Sequence, residues 1–495
     1  MGLFKVGILK ARIILCVLHF LGSLILYLLV SLFGLGDDYG LFLAYSIVTI
    51  VVFSILFLSE ARFNGLSLLL LFLLAAFMRL VIPAYEMSIE LLDGEKFSYA
   101  RDYSTFVFPA VLGMNVYYTL FILLLTRFSK DKYLSFRFEE LTNIKHMRLF
   151  AIIIFIIGAI STIIEAFPIL DSLRGHFSQL MLVSLILLAF YCAYKDDKGT
   201  LRLFYILISL NVIIALFFGF YKSKIILPIA TYVLYYYLYC RRNQKHLINV
   251  KFIGLVIFLA LFLFGFVYPF MTLKRVETQW DPDTNEVVAQ YSNIDFIQRV
   301  LKGETNFQEE TREERTSAIA DRQNAIPVNS FFYMSAYERG FNTRLLKEAL
   351  TLSLPRWLGG SGKETIGQGY LAEAYLFSES FNIAGVSSNS YVGVFASSYF
   401  WGGWFAVFLM CMFNAWFISF LFEFSQKNVK NIFALIILLS ILLSSVACFE
   451  EVHDGGIMWA KNTFLLYLFA IITKKINKSL NKLLSPQKRI HESIN

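Results

Sequence analysis

The chain has 495 residues, of which 57% are hydrophobic, 17% aromatic and 16% charged, against about 25% charged in an average soluble chain. With 44 Lys and Arg and 36 Asp and Glu, the formal charge is +8. These values exclude an ordinary soluble enzyme and a disordered protein, and they fit an integral membrane protein with many spans. The basic excess lies beside apolar runs, so its expected partner is the lipid bilayer. No basic stripe with interleaved aromatics stands in a polar domain, which argues against nucleic acid.

A bilayer core of about 30 Å needs about 20 apolar residues per helix. Twelve runs qualify in chain order: Ile13–Phe33, Leu41–Leu58, Leu66–Pro83, Phe106–Leu125, Leu149–Phe167, Phe177–Tyr194, Leu201–Phe220, Ile225–Tyr239, Phe252–Met271, Gly393–Phe422, Ile432–Cys448 and Gly456–Ile472. The first is too long for a signal-peptide core and has no small-residue cleavage site after it. The expected fold class is all-α: a polytopic membrane protein of about 12 transmembrane helices. Residues 1–271 hold spans one to nine, 272–392 one large extracytoplasmic loop, 393–473 spans ten to twelve, and 474–495 a basic tail.

Counting Lys and Arg orients the chain. With the N-terminus in the cytoplasm, inner segments carry 25 and the short outer loops 5. Both termini are then cytoplasmic. The outer loop of 121 residues carries 12 basic and 16 acidic side chains; loops this long usually carry function. Within it Asn306–Asn324, rich in Glu, Arg and Ala, reads as a helix ending before Pro327. Phe331, Phe332, Tyr333 and Tyr337 suggest a segment lying on the membrane surface. The tail places Ile476, Leu480, Leu483 and Leu484 at helical spacing among lysines, which reads equally as an amphipathic surface helix or a disordered basic tail. The five cysteines lie in or beside apolar runs and none in the loop, so no disulfide is expected there.

Nucleotide-phosphate and HExxH motifs are absent, and no metal or cofactor is expected. Asp281-Pro-Asp283 resembles a metal clip without a third anchor. Glu450-Glu451-Val452-His453 contains a single ExxH, too few ligands for a metal centre. More informative are Arg79, Glu165 and Lys461, which stand inside apolar runs toward the outer side. Charges at membrane depth are costly and usually functional, snorkelling being the alternative. Lys222 and Lys224 in the turn Gly219–Lys224, Lys274 and Arg275 where span nine ends, and Arg339, Arg344 and Arg356 in the loop add cations at the same rim. Arg grips phosphate by a bidentate fork and Lys as a point charge.

Four features then occur in order: the basic turn Gly219–Lys224; Thr272-Leu273-Lys274-Arg275; Leu354-Pro355-Arg356-Trp357-Leu358, with ten residues separating Arg356 from Gly367; and Ser388-Asn389-Ser390-Tyr391-Val392-Gly393, with Tyr399 and Trp401-Gly402-Gly403 after it. In this the chain resembles the Wzy-type O-antigen and oligosaccharide repeat-unit polymerases. The resemblance implies a GT-C-like fold in the bacterial inner membrane, with the large loop periplasmic. It implies transfer of a growing glycan from undecaprenyl pyrophosphate to a sugar hydroxyl of a lipid-linked repeat unit, with a chain-length regulator protein as a further partner. Related O-antigen ligases place a His near the fourth feature, where this chain has Ser388 and Asn389.

Such a reaction needs cations on the leaving pyrophosphate and a base for the acceptor hydroxyl. The cation candidates are Lys222, Lys224, Arg275, Arg339 and Arg356, with Arg79 and Lys461; the base candidates are Glu373, Glu379 and His453. Tyr370, Tyr375 and Phe377 beside those glutamates suit either sugar stacking or interfacial anchoring. The competing readings are a lipid-linked oligosaccharide flippase, an O-antigen ligase and a membrane acyltransferase, for which His19, the one histidine well inside a span, stands too early in the chain.

Overall fold

Apolar runs of this length have one way to satisfy their backbone in lipid, and they take it: apart from one short ribbon, the described elements are helices. The computed structural model describes residues 2–63, 67–93, 104–129, 134–136, 147–165, 179–195, 197–218, 223–243, 326–341, 393–429 and 431–447, with 254, 262, 278–280, 287–289 and scattered positions of 463–475. Contacts divide the chain into two units, Met1–Phe136 with Thr316–Asn495, and Arg137–Arg315.

The first unit contains α1 (Gly2–Phe33), α2 (Tyr39–Phe63), α3 (Leu68–Ala76), α4 (Ile82–Leu92), α5 (Ser104–Phe128), α10 (Ile326–Arg339), α11 (Val394–Lys427) and α12 (Ile432–Ala447). Its axis is α5, buried along most of its length. Small residues let neighbours close on it, the usual means of packing helices where lipid removes the hydrophobic drive. A Cβ on Gly113 would lie 2.0 Å from the ring of Phe395, so only glycine admits α11 there. Pro109 has no N–H and leaves the Thr105 carbonyl without its helical partner. The connection after α1 comes so near that a Cβ on Gly36 would lie 2.3 Å from that oxygen.

At one end of this unit an ion pair is buried. Arg12 Nη1 of α1 donates to Glu60 Oε2 of α2 at 2.9 Å, with side chains 4% and 2% exposed. Ser67 Oγ donates to Glu60 Oε1 at 2.7 Å and accepts the Leu70 N–H at 3.0 Å, capping α3. Both carboxylate oxygens are thus engaged, the condition under which a buried pair is tolerated.

Helix α3 does not stop where expected. The sequence suggests a span ending at Pro83, yet α3 and α4 form one run, Leu68–Leu92, joined by a π turn at Phe77–Val81. Pro83 explains the turn: it cannot donate to the Arg79 carbonyl, and the Ile82 N–H reaches back to Phe77 instead.

The second unit holds α6 (Met147–Glu165), α7 (Gln179–Tyr194), α8 (Lys198–Phe218), α9 (Ser223–Arg242), and the antiparallel strands β1 (Thr278–Trp280) and β2 (Val287–Ala289), which flank Asp281-Pro-Asp283. Helix α7 is its core, with Leu185 to Ala189 buried. Ser184 Oγ donates to the Ala151 carbonyl of α6 at 2.7 Å. Asp197 caps α8 through the Gly199 N–H at 3.0 Å and pairs with Arg148 of α6. The Thr200 hydroxyl, ahead of the Arg148 guanidinium, holds the Asp197 carboxyl well below the usual carboxylate range.

Among the described residues, six helices are long and apolar enough to cross a membrane: Leu9–Phe33, Tyr39–Arg62, Leu68–Leu92, Ser104–Phe128, Lys198–Leu216 and Val394–Lys427. Shorter apolar helices are Met147–Ile160, Leu180–Tyr194 and Phe433–Leu442. Most of the expected ninth span, about half of the twelfth, the Asn306–Asn324 helix and most of the tail lie outside the described residues.

Candidate functional site

Of the fourth sequence feature, residues 388–392 lie outside the described residues, while Gly393, Tyr399 and Trp401-Gly402-Gly403 help build one end of the first unit. Gly393 precedes α11 in extended conformation (φ −63°, ψ 155°). Eight residues into α11 the helix breaks at Gly402-Gly403, where Gly403 takes φ 61° and ψ −152°. A side chain at 403 would be strained in that region. The broken helix turns Tyr399 and Trp404 toward α1, where Tyr27 meets Trp404 edge-on at 4.8 Å between centroids.

Helix α10 seats on this end. The aromatic run around Tyr333, expected on the membrane surface, is partly drawn into the bundle: Phe332 is 0% and Tyr333 3% exposed, while Tyr337 is 67% exposed. Phe332 packs edge-on against Phe400, and Tyr333 against Phe395 and Tyr399 of α11 and Phe106 of α5. Shared packing with two helices buries far more of these rings than an interface would. Pro327, expected just beyond a helix, instead stands in the first turn of this one, where its missing N–H costs nothing.

Three phenols converge there. Tyr27 Oη and Tyr333 Oη share a hydrogen bond of 2.7 Å, and Tyr27 Oη lies 3.4 Å from Tyr399 Oη. Burial first, then the neighbouring tyrosines, pushes the Tyr333 phenol far above the usual tyrosine range. All three side chains are buried, with Tyr27 5%, Tyr333 3% and Tyr399 9% exposed.

Helix α10 ends at Gly340 (φ 83°), whose N–H returns to the Ala336 carbonyl at 3.1 Å. The turn aims Phe341 at the break in α11. A Cβ on Gly403 would lie 2.8 Å from that ring, which also meets Tyr399 edge-on at 6.0 Å.

Of the sequence candidates, Arg339 is the last residue of α10, so its backbone stands at this end, two positions before Phe341. Arg79 is half-buried in the π turn, near the midpoint of the 25-residue run Leu68–Leu92. The expected position toward the outer rim rested on a span ending at Pro83, whereas the helical run continues to Leu92. Lys224 opens α9 in the second unit, and Glu165 closes α6 there. Lys222, Arg275, Arg356, Lys461, Glu373, Glu379 and His453 lie outside the described residues. His19, set aside on sequence grounds, is buried near the middle of Leu9–Phe33, stacked on Tyr45 at 5.9 Å. Among the described residues no three His, Cys, Asp or Glu side chains gather as a metal site.

Sequence reasoning did not foresee the tyrosine cluster or the Arg12–Glu60 pair. Tyr27 looks like one more aromatic in an apolar run, and its partners stand 306 and 372 residues away. Arg12 passes for a flanking charge. No protein-family model, no curated protein and no solved structure matches the chain.

Proposed function

We propose that the chain is a membrane glycosyltransferase, a Wzy-type repeat-unit polymerase of the bacterial inner membrane. It transfers a growing glycan from undecaprenyl pyrophosphate to a sugar hydroxyl of an incoming lipid-linked repeat unit. The reading takes 12 spans, both termini in the cytoplasm and the large loop in the periplasm. The observation that carries it is the end of the first unit where Gly393, Tyr399 and Trp401-Gly402-Gly403, the residues of the fourth family-like feature, pack with α10 of the large loop. The exposed rings of Tyr337 and Phe341 at this end suit sugar contacts, and α10 brings Arg339 to the same end.

In this reading Lys222, Lys224, Arg275, Arg339 and Arg356 neutralise the pyrophosphate as the glycosidic bond to it breaks. Glu373, Glu379 or His453 takes the acceptor proton as the new bond forms. Purified protein in liposomes with lipid-linked repeat units tests this: a ladder of lengthening glycans supports it, and none rejects it.

One observation favours a second reading, a lipid-linked oligosaccharide flippase. Arg79 and His19 stand near the middle of their helices, and intramembrane ionisable groups mark transport paths as well as catalytic sites. Movement of the lipid across liposomes without chain growth would select it.

A further inference from the structure

Segment 342–392, which holds Arg356, Glu373 and Glu379, begins just after Phe341 and ends just before Gly393. Both flanking residues are held on the α10–α11 pair. Phe341 of the α10 terminus lies on Gly403 of α11. Gly393 at the start of α11 lies on Asn329 of α10: a Cβ there would come 2.5 Å from Oδ1, 2.8 Å from Nδ2 and 3.0 Å from Cγ of Asn329. Asn329 is 0% exposed.

The Gly393 contact differs in kind from the Gly403 one. Gly403 needs glycine for its backbone, whereas φ −63° and ψ 155° at Gly393 suit any residue. At 393 the nearest atoms a Cβ would meet are those of the Asn329 side chain. The contact therefore makes a size-matched pair, an amide filling the place of a missing Cβ, between two helices that also share ring contacts.

We infer that Asn329 is a positioning residue: by occupying the space over Gly393 it sets the register of α10 against α11, and so holds Phe341 and Gly393, the residues on either side of segment 342–392, on one helix pair. The effect on turnover rests on the polymerase reading; the register itself does not. Polymerase chemistry would feel the change in kcat, because misplaced loop residues lose transition-state contacts while other cations still bind the lipid donor.

The test uses full-length protein in liposomes. Gly393→Ala should lower kcat for chain growth roughly tenfold with the donor KM within about twofold, the scale of an overpacked site. Asn329→Ala combined with Gly393→Ala should recover most of that loss, because the alanine methyl then enters the vacated space. A double variant as slow as Gly393→Ala alone, or a Gly393→Ala protein with normal kcat, overturns the proposal. Asn329→Cys with Gly393→Cys should form a disulfide under mild oxidation, seen as a gel shift without any substrate. The crosslinked protein should stay active. Failure to crosslink overturns the register, and activity lost on crosslinking but restored by reductant overturns a fixed positioning role. Wild-type protein that grows no chains would reject the polymerase reading. The crosslink, with a melting temperature lowered by Gly393→Ala and recovered in the double variant, would then decide the register.

Discussion

Cys411 of α11 points its Sγ at the Tyr117 carbonyl of α5, 3.7 Å away, and the two residues are 294 positions apart. Ser419 to the Leu125 carbonyl at 3.4 Å, and Ser129 to Glu423 at 3.4 Å, have the same separation. A constant offset means that α5 and α11 run parallel and in step. Parallel spans require an even number of crossings from one to the other, which spans four and ten of the twelve-span map satisfy. By contrast α1 and α2 run antiparallel, since Tyr45 faces Ser23 at 2.7 Å and Glu60 faces Arg12.

Opposite labelling at the two ends of the first unit follows. Arg127 and Lys427 stand at the ends of α5 and α11, and Asp38 and Glu338 at the other end; all four are exposed. Single cysteines at 127 and 427 should resist a membrane-impermeant maleimide in spheroplasts, while cysteines at 38 and 338 should react. Mixed labelling within either pair would contradict the parallel packing, and a uniform reversal would invert the orientation drawn from the basic residues.

The Arg12–Glu60 pair should behave as a buried ion pair does. Glu60→Gln removes the charge but leaves the arginine in place, so a loss of about 3–5 kcal/mol is expected. Replacing both, Arg12→Met with Glu60→Leu, should recover much of it, although Ser67 then loses its acceptor. Thermal unfolding in detergent, followed by intrinsic fluorescence, measures both. Equal destabilisation by the single and double variants would show that the pair is not coupled.

Much of this fold is legible in the sequence because apolar length and the distribution of Lys and Arg are local signals. The first, second, fourth and eighth expected spans lie within the helices found, and the tenth does so except for Gly393. What escaped depends on distance along the chain or on a single missing atom. Pro83 reads as a terminus, yet one lost N–H is absorbed by a π turn and the helix runs on to Leu92. Gly393 is visible as part of a motif, but its purpose is set by Asn329, 64 residues earlier. The phenol cluster needs three chain segments to meet, and no periodicity encodes that.

Asp197 supplies a pH dependence in the second unit. Its carboxyl is depressed in the folded state by Thr200 and then Arg148. The stabilisation is fully present above the unfolded value of about 3.9 and is lost as pH falls through the lower folded value. Wild-type protein should therefore keep this contact at pH 5 and weaken only below about 4. Asp197→Asn should lower stability at pH 7 by about 1 kcal/mol or less, since the pair is 50% and 31% exposed and solvent screens it. The difference from wild type should vanish in strong acid. A difference that persists unchanged at pH 2 would assign the effect to packing rather than charge.

The functional readings separate at two arginines. If the large loop supplies the pyrophosphate grip, Arg356→Ala should abolish polymer, a fall of about 10²-fold or more, with the protein still in the membrane. Arg356→Lys should recover only part, because a point charge lacks the bidentate fork. Arg79, held in the π turn near mid-run, should matter less to chain growth, so Arg79→Gln should leave a polymer ladder of ordinary length. A flippase predicts the reverse order, with Arg79→Gln stopping lipid movement and Arg356→Ala tolerated. Lys222 and Lys224 sharpen the contrast: replacing both by Gln should weaken lipid-donor binding if they contact the diphosphate. Gel electrophoresis of the glycan product and a lipid-scrambling assay on the same proteoliposomes decide it; a normal ladder from Arg356→Ala would remove that residue from the site.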